Sequence, residues 1–345
     1  MQSYKNILII KPSSLGDIVH SLPVLKDLRS GFPRANIAWL IKRQYAGILE
    51  GNPYLNEIIH WEWNGARWFA GLPGLIKKLK NSHFDLVIDL QGLFRSGLVS
   101  FLSGANERLG FKNARELSPI FYTKRVSVLR KEIHAVDRYR LITDYLGIKQ
   151  GPPDFTIAID EQEKECVERL LFESGVKSED ILVMVNPSGR WQSKKWNPEG
   201  FARICDILNT EYSVKTIIIG SQEDIGLACE IKELMKTTPV ILAGRTTIKG
   251  LVALLSKAYL LVTNDSGPMH IAAALNVPVV AIFGPTDPGR TGPYGKGHIV
   301  VRKEIPCSPC FKRDCKNLVC MEEVSVEEVK DKIGKTKWLE KQNVT

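Results

Sequence analysis

Short apolar segments alternate with segments of helical spacing along the first half of the chain. The apolar segments read NILII, ANIAWLI, NEIIHWE and FDLVIDL and begin at residues 6, 35, 56 and 84. Helical patterns lie between them, for example over Ile18 to Leu28 and over Leu75 to Leu79. Unbroken apolar strands separated by helices are typical of a parallel sheet that is covered on both faces. The first half therefore predicts a doubly wound α/β domain.

The second half repeats this pattern after GPP at residues 151–153 and a helical stretch around Glu161 to Phe172. Its apolar segments read ILVMV, TIIIG, PVILAG, YLLVTND and VPVVAIFG, with helical patterns near residues 198–209, 225–236, 248–257 and 267–275. Asn197 and Pro198 are suited to begin the first of these helices.

We therefore predict an α/β chain of two Rossmann-like domains with doubly wound parallel sheets. The first spans residues 1–155 and the second residues 156–325. A C-terminal helix or tail at 326–345 can pack back on the first domain. Because ligands of such sheets bind beyond the carboxyl ends of the strands, we expect the two domains to face each other across a cleft that holds the reactants.

Charge narrows the choice of partner. The 345 residues include 47 Lys and Arg against 38 Asp and Glu, which gives a net charge of +9 and a pI near 9.1. Such a balance favours anionic partners such as nucleic acid, an acidic membrane face or phosphorylated substrates. The first apolar run ends at Lys11, and no apolar stretch approaches the roughly 20 residues of a membrane span. We expect a soluble, cytoplasmic protein that can touch a membrane surface.

The segment VTNDSGPMHIAAAL predicts an anion site. A strand ends at Thr263 and a helix begins near Pro268, so the turn between them leaves backbone N–H groups pointing out of the helix start. Gly267 permits close backbone approach, and His270 lies one turn into the helix. The alternative is that Asp265 only caps the helix, and the segment alone does not decide between the two.

Two further loops follow strands of the same domain. NPSGRWQSKKWNPEGF offers Lys194 or Lys195 to a phosphate, although a solvated lysine pair is the commoner case. IIIGSQED offers Glu223 or Asp224 to ribose hydroxyls, with helix capping as the alternative. Three such loops in one domain outline a site for a nucleotide diphosphate. The absence of G-x-G-x-x-G and of G-x-x-x-x-G-K-[ST] argues against a dinucleotide dehydrogenase and a P-loop enzyme.

In the first domain, IIKPSSLGDIVHSLPVL places Asp17 at the equivalent position after a strand. A carboxylate there repels donor phosphates and is better suited to accept a proton from an incoming hydroxyl. Because its ordinary pKa is about 3.9, the proton must move late, as the hydroxyl bonds to an electron-poor sugar carbon. The alternative is that Asp17 caps a helix that starts at Ile18. We interpret His20 as a buried structural imidazole.

Four of the seven cysteines are clustered. Cys307, Cys310, Cys315 and Cys320 form a C-x2-C-x4-C-x4-C array. The first pair is compatible with zinc, whereas the later spacings are tight for four thiolate ligands. We place reduced structural thiols first, a structural zinc second and disulfides last, because disulfides are rare in cytoplasmic proteins. The three remaining cysteines, Cys166, Cys205 and Cys229, are expected to be buried thiols.

The segments SSLGDIVHSLPVL, SKKW before Pro198, GSQED and NDSGPMHIAAAL with the later PVVAIFGPTDP resemble glycosyltransferase family 9, the bacterial heptosyltransferases, from about residue 5 to about residue 325. IDLQGLFRSGL, GFKNARELSPIFYTKRV and HAVDRYR look most like heptosyltransferase I of lipopolysaccharide core synthesis. The resemblance implies a GT-B fold, ADP-L-glycero-D-manno-heptose as donor, Kdo2-lipid A as acceptor and inverting transfer without a metal ion or other cofactor. It also implies that the second domain holds the donor and the first the acceptor.

By motif, the resemblance makes Asp17 the proposed base and Lys194 a phosphate contact. Glu223 becomes the ribose ligand, with Asp224 as a close competitor. The donor-phosphate loop corresponds to Asp265, Ser266, Gly267 and His270. HWEWNGARWFA departs from the family pattern, since only Arg67 is a firm cation where heptosyltransferase I usually carries more. We therefore expect the acidic sugars of the acceptor at Arg95, Lys112, Arg115, Arg138 and Lys124.

Three alternatives stay open at this point. Another family 9 heptosyltransferase, II or III, would use an acceptor that already carries heptose. A sugar-nucleotide epimerase can share the paired-domain architecture without needing a lipid acceptor, and a non-catalytic nucleotide-binding module would need no Asp17. The expected partners are ADP-heptose, a glycolipid of the lipid A type and the anionic inner face of the inner membrane, and not nucleic acid.

Overall fold

A computed structural model describes residues 3–62, 69–130 and 132–334. The described residues fall into two compact units, one that ends at Ala158 and one that begins at Ile159. Each unit contains a six-stranded sheet in which every pairing is parallel, with helices between successive strands. The predicted α/β class with two doubly wound parallel sheets is confirmed.

The first unit begins with β1 (Asn6–Ile10), α1 (Leu15–Gly31), β2 (Asn36–Ile41), β3 (Glu57–His60), α2 (Leu72–Asn81) and β4 (Leu86–Asp89). It continues with α3 (Phe94–Leu102), β5 (Glu107–Phe111), β6 (Lys124–Val126) and α4 (Ala135–Tyr145). The strand order is β3-β2-β1-β4-β5-β6. The direction of winding reverses between β1 and β4, so the crevice that binds ligands in such sheets lies at the carboxyl ends of these two strands.

The second unit contains α5 (Glu161–Glu173), β7 (Leu182–Asn186), α6 (Pro198–Glu211), β8 (Lys215–Ile218), α7 (Ile225–Leu234), β9 (Val240–Ile241) and α8 (Ile248–Ser256). It continues with β10 (Leu260–Asn264), α9 (Gly267–Ala274), β11 (Val279–Phe283), α10 (Pro288–Thr291), β12 (Ile299–Arg302), α11 (Val319–Glu322) and α12 (Val326–Gly334). The order β12-β11-β10-β7-β8-β9 reverses between β10 and β7. Here too the crevice lies where two central strands end.

The sequence pattern identified the central strands because their residues are apolar on both faces. Four consecutive residues of β1, Ile7 to Ile10, are completely buried, as are all five residues of β11. The strands β5, β6 and β12 were not predicted. Their sequences ERLGF, KRV and IVVR mix charged with apolar residues, and β6 and β12 form sheet edges where one side of the strand need not be covered.

Two helix starts follow from capping. Asn197 accepts a hydrogen bond from the Gly200 amide at 2.6 Å and Pro198 is the first residue of α6, as predicted. α1 begins at Leu15 and not at Ile18, because Ser14 occupies the N-cap position. Asp17 therefore lies inside the first turn of α1, where it is not the N-cap residue but completes a capping box with Ser14 through its Oδ2 atom.

The described part of the C-terminal segment belongs to the second unit. Val326, Val329 and Ile333 of α12 form one apolar stripe and are part of the hydrophobic core of that unit. This differs from the expectation that the segment packs on the first domain, since the stripe is buried against the second. Residues 335–345 lie outside the described residues.

The expected burial of the three separate cysteines holds for one of them. Cys166 and Cys229 are exposed, whereas Cys205 is buried as expected. Within the described ranges, no helix combines the length and apolar character that crossing a bilayer requires.

A buried ion pair joins α1 to α4. The Arg140 guanidinium donates two hydrogen bonds to Asp27, at 2.8 and 3.2 Å, and a third to the carbonyl oxygen of Gly151 at 2.6 Å. Thr143 donates to the same carboxylate at 3.1 Å. Asp27 and Arg140 are 5% and 7% exposed. Loss of one partner would leave the other charge uncompensated inside the unit.

We expect Asp27→Ala to lower the free energy of unfolding of the first unit by about 3–5 kcal/mol, because the buried guanidinium loses its counter-charge. The double variant Asp27→Leu, Arg140→Met should be less destabilised than the single variant, since it buries no unpaired charge. Hydrogen exchange of peptides from α1 and α4 measures both effects. Equal destabilisation in the two variants would contradict the charge argument and indicate lost packing instead.

Candidate active site

A lysine and an aspartate meet at the carboxyl edge of the first sheet. Lys11 is the residue that follows β1, and Asp17 lies in the first turn of α1. The Lys11 Nζ atom lies 3.8 Å from Oδ1 of Asp17 and 3.3 Å from the carbonyl oxygen of Leu90, the residue after β4. The Lys11 side chain is 3% exposed and that of Asp17 is 41% exposed. The lysine is thus buried beside a carboxylate that remains open to solvent.

Hydrogen bonds hold both oxygens of Asp17. Oδ2 accepts from the amide and the hydroxyl of Ser14 at 3.2 and 2.6 Å, and the Tyr139 hydroxyl donates to Oδ1 at 3.2 Å. Although its side chain is 41% exposed, the partial burial of Asp17 would by itself raise its pKa. The charge of Lys11 and the bonds from Ser14 outweigh this and hold the pKa of Asp17 well below its usual range. The carboxylate is therefore ionised at neutral pH.

Lys11 keeps its proton for the same reason. Burial would lower the pKa of Lys11, but the charge of Asp17 overcomes this, and the pKa of Lys11 is raised. Its Nζ atom also lies 5.0 Å from the centre of the Tyr139 ring. The sequence analysis missed both neighbours of Asp17. Lys11 had a signal, as the first charged residue after a buried strand, whereas Tyr139 is distant in sequence and had none.

A second carboxylate at this edge is enclosed. Asp89, the last residue of β4, is completely buried and accepts hydrogen bonds from the hydroxyls of Tyr122 and Ser96 at 2.7 and 2.8 Å. The amides of Gln91 and Gly92 donate to it at 2.9 and 3.1 Å. Burial raises the pKa of Asp89 despite these bonds. Asp89 therefore fixes the loop between β4 and α3, while Asp17 is the carboxylate that solvent reaches.

Two histidines lie near the start of α1 and α4. His20 is buried, as predicted, and its ring packs edge to face on that of His134, with 5.2 Å between centroids. His134 caps α4 by accepting a hydrogen bond from the Val136 amide at 3.2 Å. Beside it is a cavity of about 560 Å³, lined by Arg130, Glu132, Ile133, His134 and Asp137. The first unit thus provides a concave region next to the helix that carries Tyr139.

The cations predicted for the acceptor separate into two groups. Four of them lie at the carboxyl edge of the first sheet. Arg95 is at the start of α3, Lys112 directly follows β5, and Arg138 is in the first turn of α4. The Arg115 amide donates to the Gly92 carbonyl at 3.0 Å. The Arg138 guanidinium contacts the Phe111 ring at 4.5 Å and donates to Asn113 at 3.3 Å. Arg67 lies outside the described residues.

Lys124 is not brought together with this group. It is the first residue of β6, and the first residue of a parallel strand lies at the amino edge of the sheet, opposite Asp17. There it forms an ion pair with Glu107 at 2.9 Å. The sequence placed Lys124 with the other cations because β6 itself had not been predicted.

At the carboxyl edge of the second sheet another lysine meets another aspartate. Lys194 Nζ lies 2.5 Å from Oδ2 of Asp265, and the Thr286 hydroxyl donates to the same oxygen at 2.6 Å. The side chains of Lys194 and Asp265 are 15% and 5% exposed, so here the carboxylate is the more buried partner. The Lys194 ammonium also lies 4.5 Å from the centre of the Trp191 ring. Asp265 does not cap α9, which removes the alternative considered for it.

α9 begins beside this pair. Gly267 is its first residue and Ser266 its N-cap, one residue before the predicted start. Asn186, the last residue of β7, donates to the Ser266 hydroxyl at 2.7 Å and to the Thr263 hydroxyl at 3.0 Å. His270 lies one turn into α9 and is 7% exposed. The helix start thus presents its backbone N–H groups at the carboxyl edge, next to Lys194.

Backbone contacts fix the loop that carries Lys194. The Trp196 amide donates to the Asn264 side chain at 3.1 Å, and Asn264 in turn donates to the carbonyl of Pro187 at 2.7 Å. The Trp196 indole N–H donates to the carbonyl of Val324 at 2.9 Å. Because Trp196 is buried, these bonds set the position of Lys194 two residues earlier.

The two acidic residues of the loop after β8 differ in their contacts. Oδ2 of Asp224 accepts from the amide and the hydroxyl of Ser221 at 2.8 and 2.6 Å, which is a local cap. Glu223 is exposed at the same carboxyl edge. Since Asp224 is used in the turn, Glu223 is the carboxylate of this loop that a ligand can reach.

The clustered cysteines border this site. All seven cysteines are free, with Cys320 buried and Cys307 and Cys315 exposed. The amide of Cys310 donates to the carbonyl of Pro285 at 3.0 Å, which joins this loop to the one that carries Thr286. Burial, followed by the neighbouring thiols, raises the pKa of Cys320. Within the described residues, no three His, Cys, Asp or Glu side chains are placed to hold a metal ion.

Curated heptosyltransferases from several bacteria are similar to this protein over most of the chain. Heptosyltransferase 1 of Pseudomonas aeruginosa PAO1 is 30% identical over 329 residues, 90% of this chain and 87% of that protein. The lipopolysaccharide core heptosyltransferase OpsX of Haemophilus influenzae is 28% identical over 294 residues, 84% and 82% of the two chains. Heptosyltransferase 3 of Escherichia coli K12 is 31% identical over 288 residues, 79% and 80%.

Solved structures of glycosyltransferases share the fold. A family 9 glycosyltransferase from Veillonella parvula superposes with a TM-score of 0.84 at 26% identity and covers 98% of both chains. The Escherichia coli heptosyltransferase WaaC with ADP-2-deoxy-2-fluoro heptose has a TM-score of 0.74 at 23% identity, covering 95% of this chain and 99% of that one. These likenesses confirm the GT-B fold implied by the resemblance.

The sequence profile of glycosyltransferase family 9 (heptosyltransferase) matches residues 74–320, well over half of the chain. This range includes the loop of Lys194, the start of α9 and the carboxyl edge around α3 and α4. With 30% identity to a curated member across nine-tenths of its length, the chain belongs to glycosyltransferase family 9 and is a glycosyltransferase.

Proposed function

We propose that this glycosyltransferase acts in lipopolysaccharide core synthesis and transfers L-glycero-D-manno-heptose from ADP-heptose to Kdo2-lipid A. The transfer inverts the anomeric centre and uses no metal ion. The observation that carries the proposal is the opposite exposure of two lysine–aspartate pairs. In the first unit the carboxylate of Asp17 faces solvent above a buried Lys11, and in the second unit Lys194 is the more exposed partner of a buried Asp265.

The second unit is the donor-binding unit in this proposal. Lys194 and the N–H groups at the start of α9, at Ser266 and Gly267, stabilise the negative charge that develops on the departing diphosphate. Asp265 repels phosphate and acts through Lys194, whose ammonium it holds at the edge together with Thr286. His270 supports the same loop from within α9. Glu223 accepts hydrogen bonds from the ribose, since Asp224 is used by its own turn.

The first unit presents the acceptor. Asp17 accepts the proton of the attacking hydroxyl as that oxygen bonds to the anomeric carbon, opposite the leaving diphosphate. Its lowered pKa makes it a weak base, so the proton moves late, when the forming bond has made the hydroxyl acidic. The negative charge of Asp17 also stabilises positive charge on the sugar carbon in the transition state. A single displacement of this kind inverts the centre.

The acceptor's anionic groups are assigned to the cations of the same edge, Arg95, Lys112, Arg115 and Arg138. Guanidinium groups bind carboxylates and phosphates through paired hydrogen bonds, which suits acidic sugars. The lipid of the acceptor places the enzyme at the inner face of the inner membrane as a peripheral protein. The net charge of +9 supports attraction to that anionic surface.

Heptosyltransferase II or III activity is the alternative that a specific observation favours, because a heptosyltransferase 3 is as similar in sequence as the heptosyltransferases 1. The two alternatives differ in whether the acceptor already carries heptose. Membership of a glycosyltransferase family disfavours the epimerase and the non-catalytic module.

An acceptor panel assayed with ADP-heptose separates these functions. We expect Kdo2-lipid A to gain the mass of one heptose and heptosylated acceptors to remain unchanged, with an undiminished rate in the presence of a chelator. Donor incubated alone should be recovered unaltered. Transfer only to heptosylated acceptors would establish the alternative, and conversion of donor alone would establish an epimerase. Mass spectrometry of the products provides the measurement.

Replacing the proposed base should affect turnover and not donor binding. We expect Asp17→Asn to lower kcat by ~10²–10⁴ and to leave the dissociation constant of ADP nearly unchanged. The complementary variant Lys194→Met should weaken ADP binding by roughly 10–100-fold, as loss of a charged hydrogen bond does. Steady-state kinetics and calorimetry with ADP test both. An Asn variant with near-wild-type turnover would remove Asp17 from the role.

Lys11 should determine the pH range in which Asp17 is ionised. The lowered pKa of Asp17 rests chiefly on the charge of Lys11, so Lys11→Met should raise that pKa and move the acid limb of kcat/KM to higher pH. Lys11→Arg keeps the charge and should restore the wild-type profile. Circular dichroism over the same pH range shows whether each variant stays folded. If the folded Lys11→Met variant and the wild type had the same pH profile of kcat/KM, the dependence of the Asp17 pKa on Lys11 would be refuted.

A further inference from the structure

Exposed apolar side chains gather on one face of the first unit, around α3. Phe94 and Phe101 lie two turns apart on this helix and are 39% and 51% exposed. The Phe121 ring packs against both, with centroid distances of 5.4 and 6.1 Å. A short 3-10 turn, Ser118–Phe121, follows Leu117 and contains Ile120. The Leu117 and Ile120 side chains are 71% and 62% exposed. We call these five side chains the apolar patch.

Arginines border the apolar patch. The Arg108 guanidinium lies 5.5 Å from the centre of the Phe101 ring and donates to the Phe121 carbonyl at 2.8 Å. The Arg125 guanidinium donates to the Pro119 carbonyl at 2.9 Å. Arg108 is also held by its Nη1 atom, which donates to the Ala105 carbonyl at 2.6 Å, so its Nη2 atom is the one left for a phosphate oxygen. Arg125 is held through Nε and keeps its two terminal nitrogens for phosphate oxygens.

Two more arginines lie at the other end of the patch. Arg95 follows Phe94 in α3, and Arg115 comes two residues before Leu117. The acidic residue here, Glu116, accepts a hydrogen bond from the Phe94 amide at 3.2 Å and so is used to cap α3. The face therefore combines a contiguous apolar centre with a basic rim.

Two residues of the turn that carries Leu117 have intrinsically unfavourable backbone conformations. Glu116 and Leu117 have φ values of 53° and 58°, in the left-handed region that bulky residues avoid. Hydrogen bonds from the Arg115 amide to Gly92 and from the Ser118 amide to Arg115, each 3.0 Å, fix the turn. Unfavourable conformations that keep a large apolar side chain in solvent are typical of functional surfaces.

We propose that the apolar patch and its four arginines dock on an anionic lipid bilayer. The aromatic and aliphatic side chains enter the interfacial region, and the guanidinium groups of Arg108 and Arg125 contact lipid phosphates, while Arg95 and Arg115 face the anionic groups of the acceptor. This rests on the proposed function, in which the acceptor is a membrane lipid. Because α3 begins directly after the carboxyl edge of β4, docking by this face brings that edge, with Asp17, toward the acceptor sugars. A second copy is disfavoured as the occupant, since four arginines would oppose four arginines.

Vesicle binding of the full chain tests the proposal. Wild-type protein should co-sediment with vesicles of phosphatidylcholine and phosphatidylglycerol in equal parts, and more weakly with phosphatidylcholine alone or at high salt. The double variant Leu117→Asn, Ile120→Gln should lose roughly tenfold or more in partition coefficient. Asn accepts the left-handed conformation at position 117, so the turn is preserved. Arg125→Gln should bind less tightly and with a shallower salt dependence.

Phe172→Gln is the matched control, since Phe172 lies in α5 of the second unit and is 80% exposed. Its vesicle binding should equal that of wild type. Turnover of the double variant should fall with acceptor embedded in vesicles and be unchanged with an acceptor sugar that lacks acyl chains. Failure of the proposed function would instead appear as absent turnover in wild type with every acceptor.

Three outcomes would overturn the proposal. The first is vesicle binding by the double variant equal to that of wild type, and the second is an equal loss of binding in Phe172→Gln. The third is a larger mass for the wild type than for the double variant in analytical ultracentrifugation. The last result would identify the patch as an interface between copies of the chain.

Discussion

In each unit a lysine and an aspartate meet at the carboxyl edge of a parallel sheet, and the difference in their burial determines what each pair can do. The Lys11 side chain is buried and that of Asp17 is more exposed, so the first pair presents a negative charge, and the charge of Lys11 keeps the carboxylate ionised. Asp265 is enclosed and Lys194 is the more open, so the second presents a positive charge. In the proposed mechanism, the same two residue types thus form a proton acceptor in one unit and an anion contact in the other.

These pairs depend on the parallel sheets beneath them. A parallel strand delivers its next residue to one edge, so loops far apart in sequence meet there. Asn264 and Trp196 show how the meeting is made rigid, because amide and indole groups bond across loops that follow different strands. A cation held in place before the reaction begins stabilises developing charge without reorganising, which is the main source of electrostatic catalysis.

Fixed loops also organise the surface of the first unit around α3. The loop between β4 and α3 is fixed by the buried Asp89, and the turn at Glu116 and Leu117 packs against the start of that helix. The proposed catalytic edge and an apolar, basic face therefore share one helix. With the proposed lipid acceptor, this arrangement would link the orientation of the enzyme on the membrane to the access of the acceptor.

The sequence by itself determined the fold class and the loops that carry chemistry. Strands such as NILII and VVAIF are apolar on both faces and must be central, and the residues that follow them must lie at the ligand-binding edge. That reasoning reached Asp17, Lys194 and Asp265 individually. The edge strands β6 and β12 and the neighbouring strand β5 escaped it, because charged residues interrupt their apolar pattern, and Lys124 was misplaced as a result.

Only the tertiary structure decided which charges are paired and which are open. Tyr139 reaches Asp17, and Thr286 reaches Asp265, by contacts between residues distant in sequence. Whether Glu223 or Asp224 is accessible depended on the geometry of one turn, and whether Asp265 caps α9 depended on where Lys194 lies. Hydrogen bonding and burial are properties of a three-dimensional neighbourhood, and a linear pattern specifies the residue type without specifying its partner.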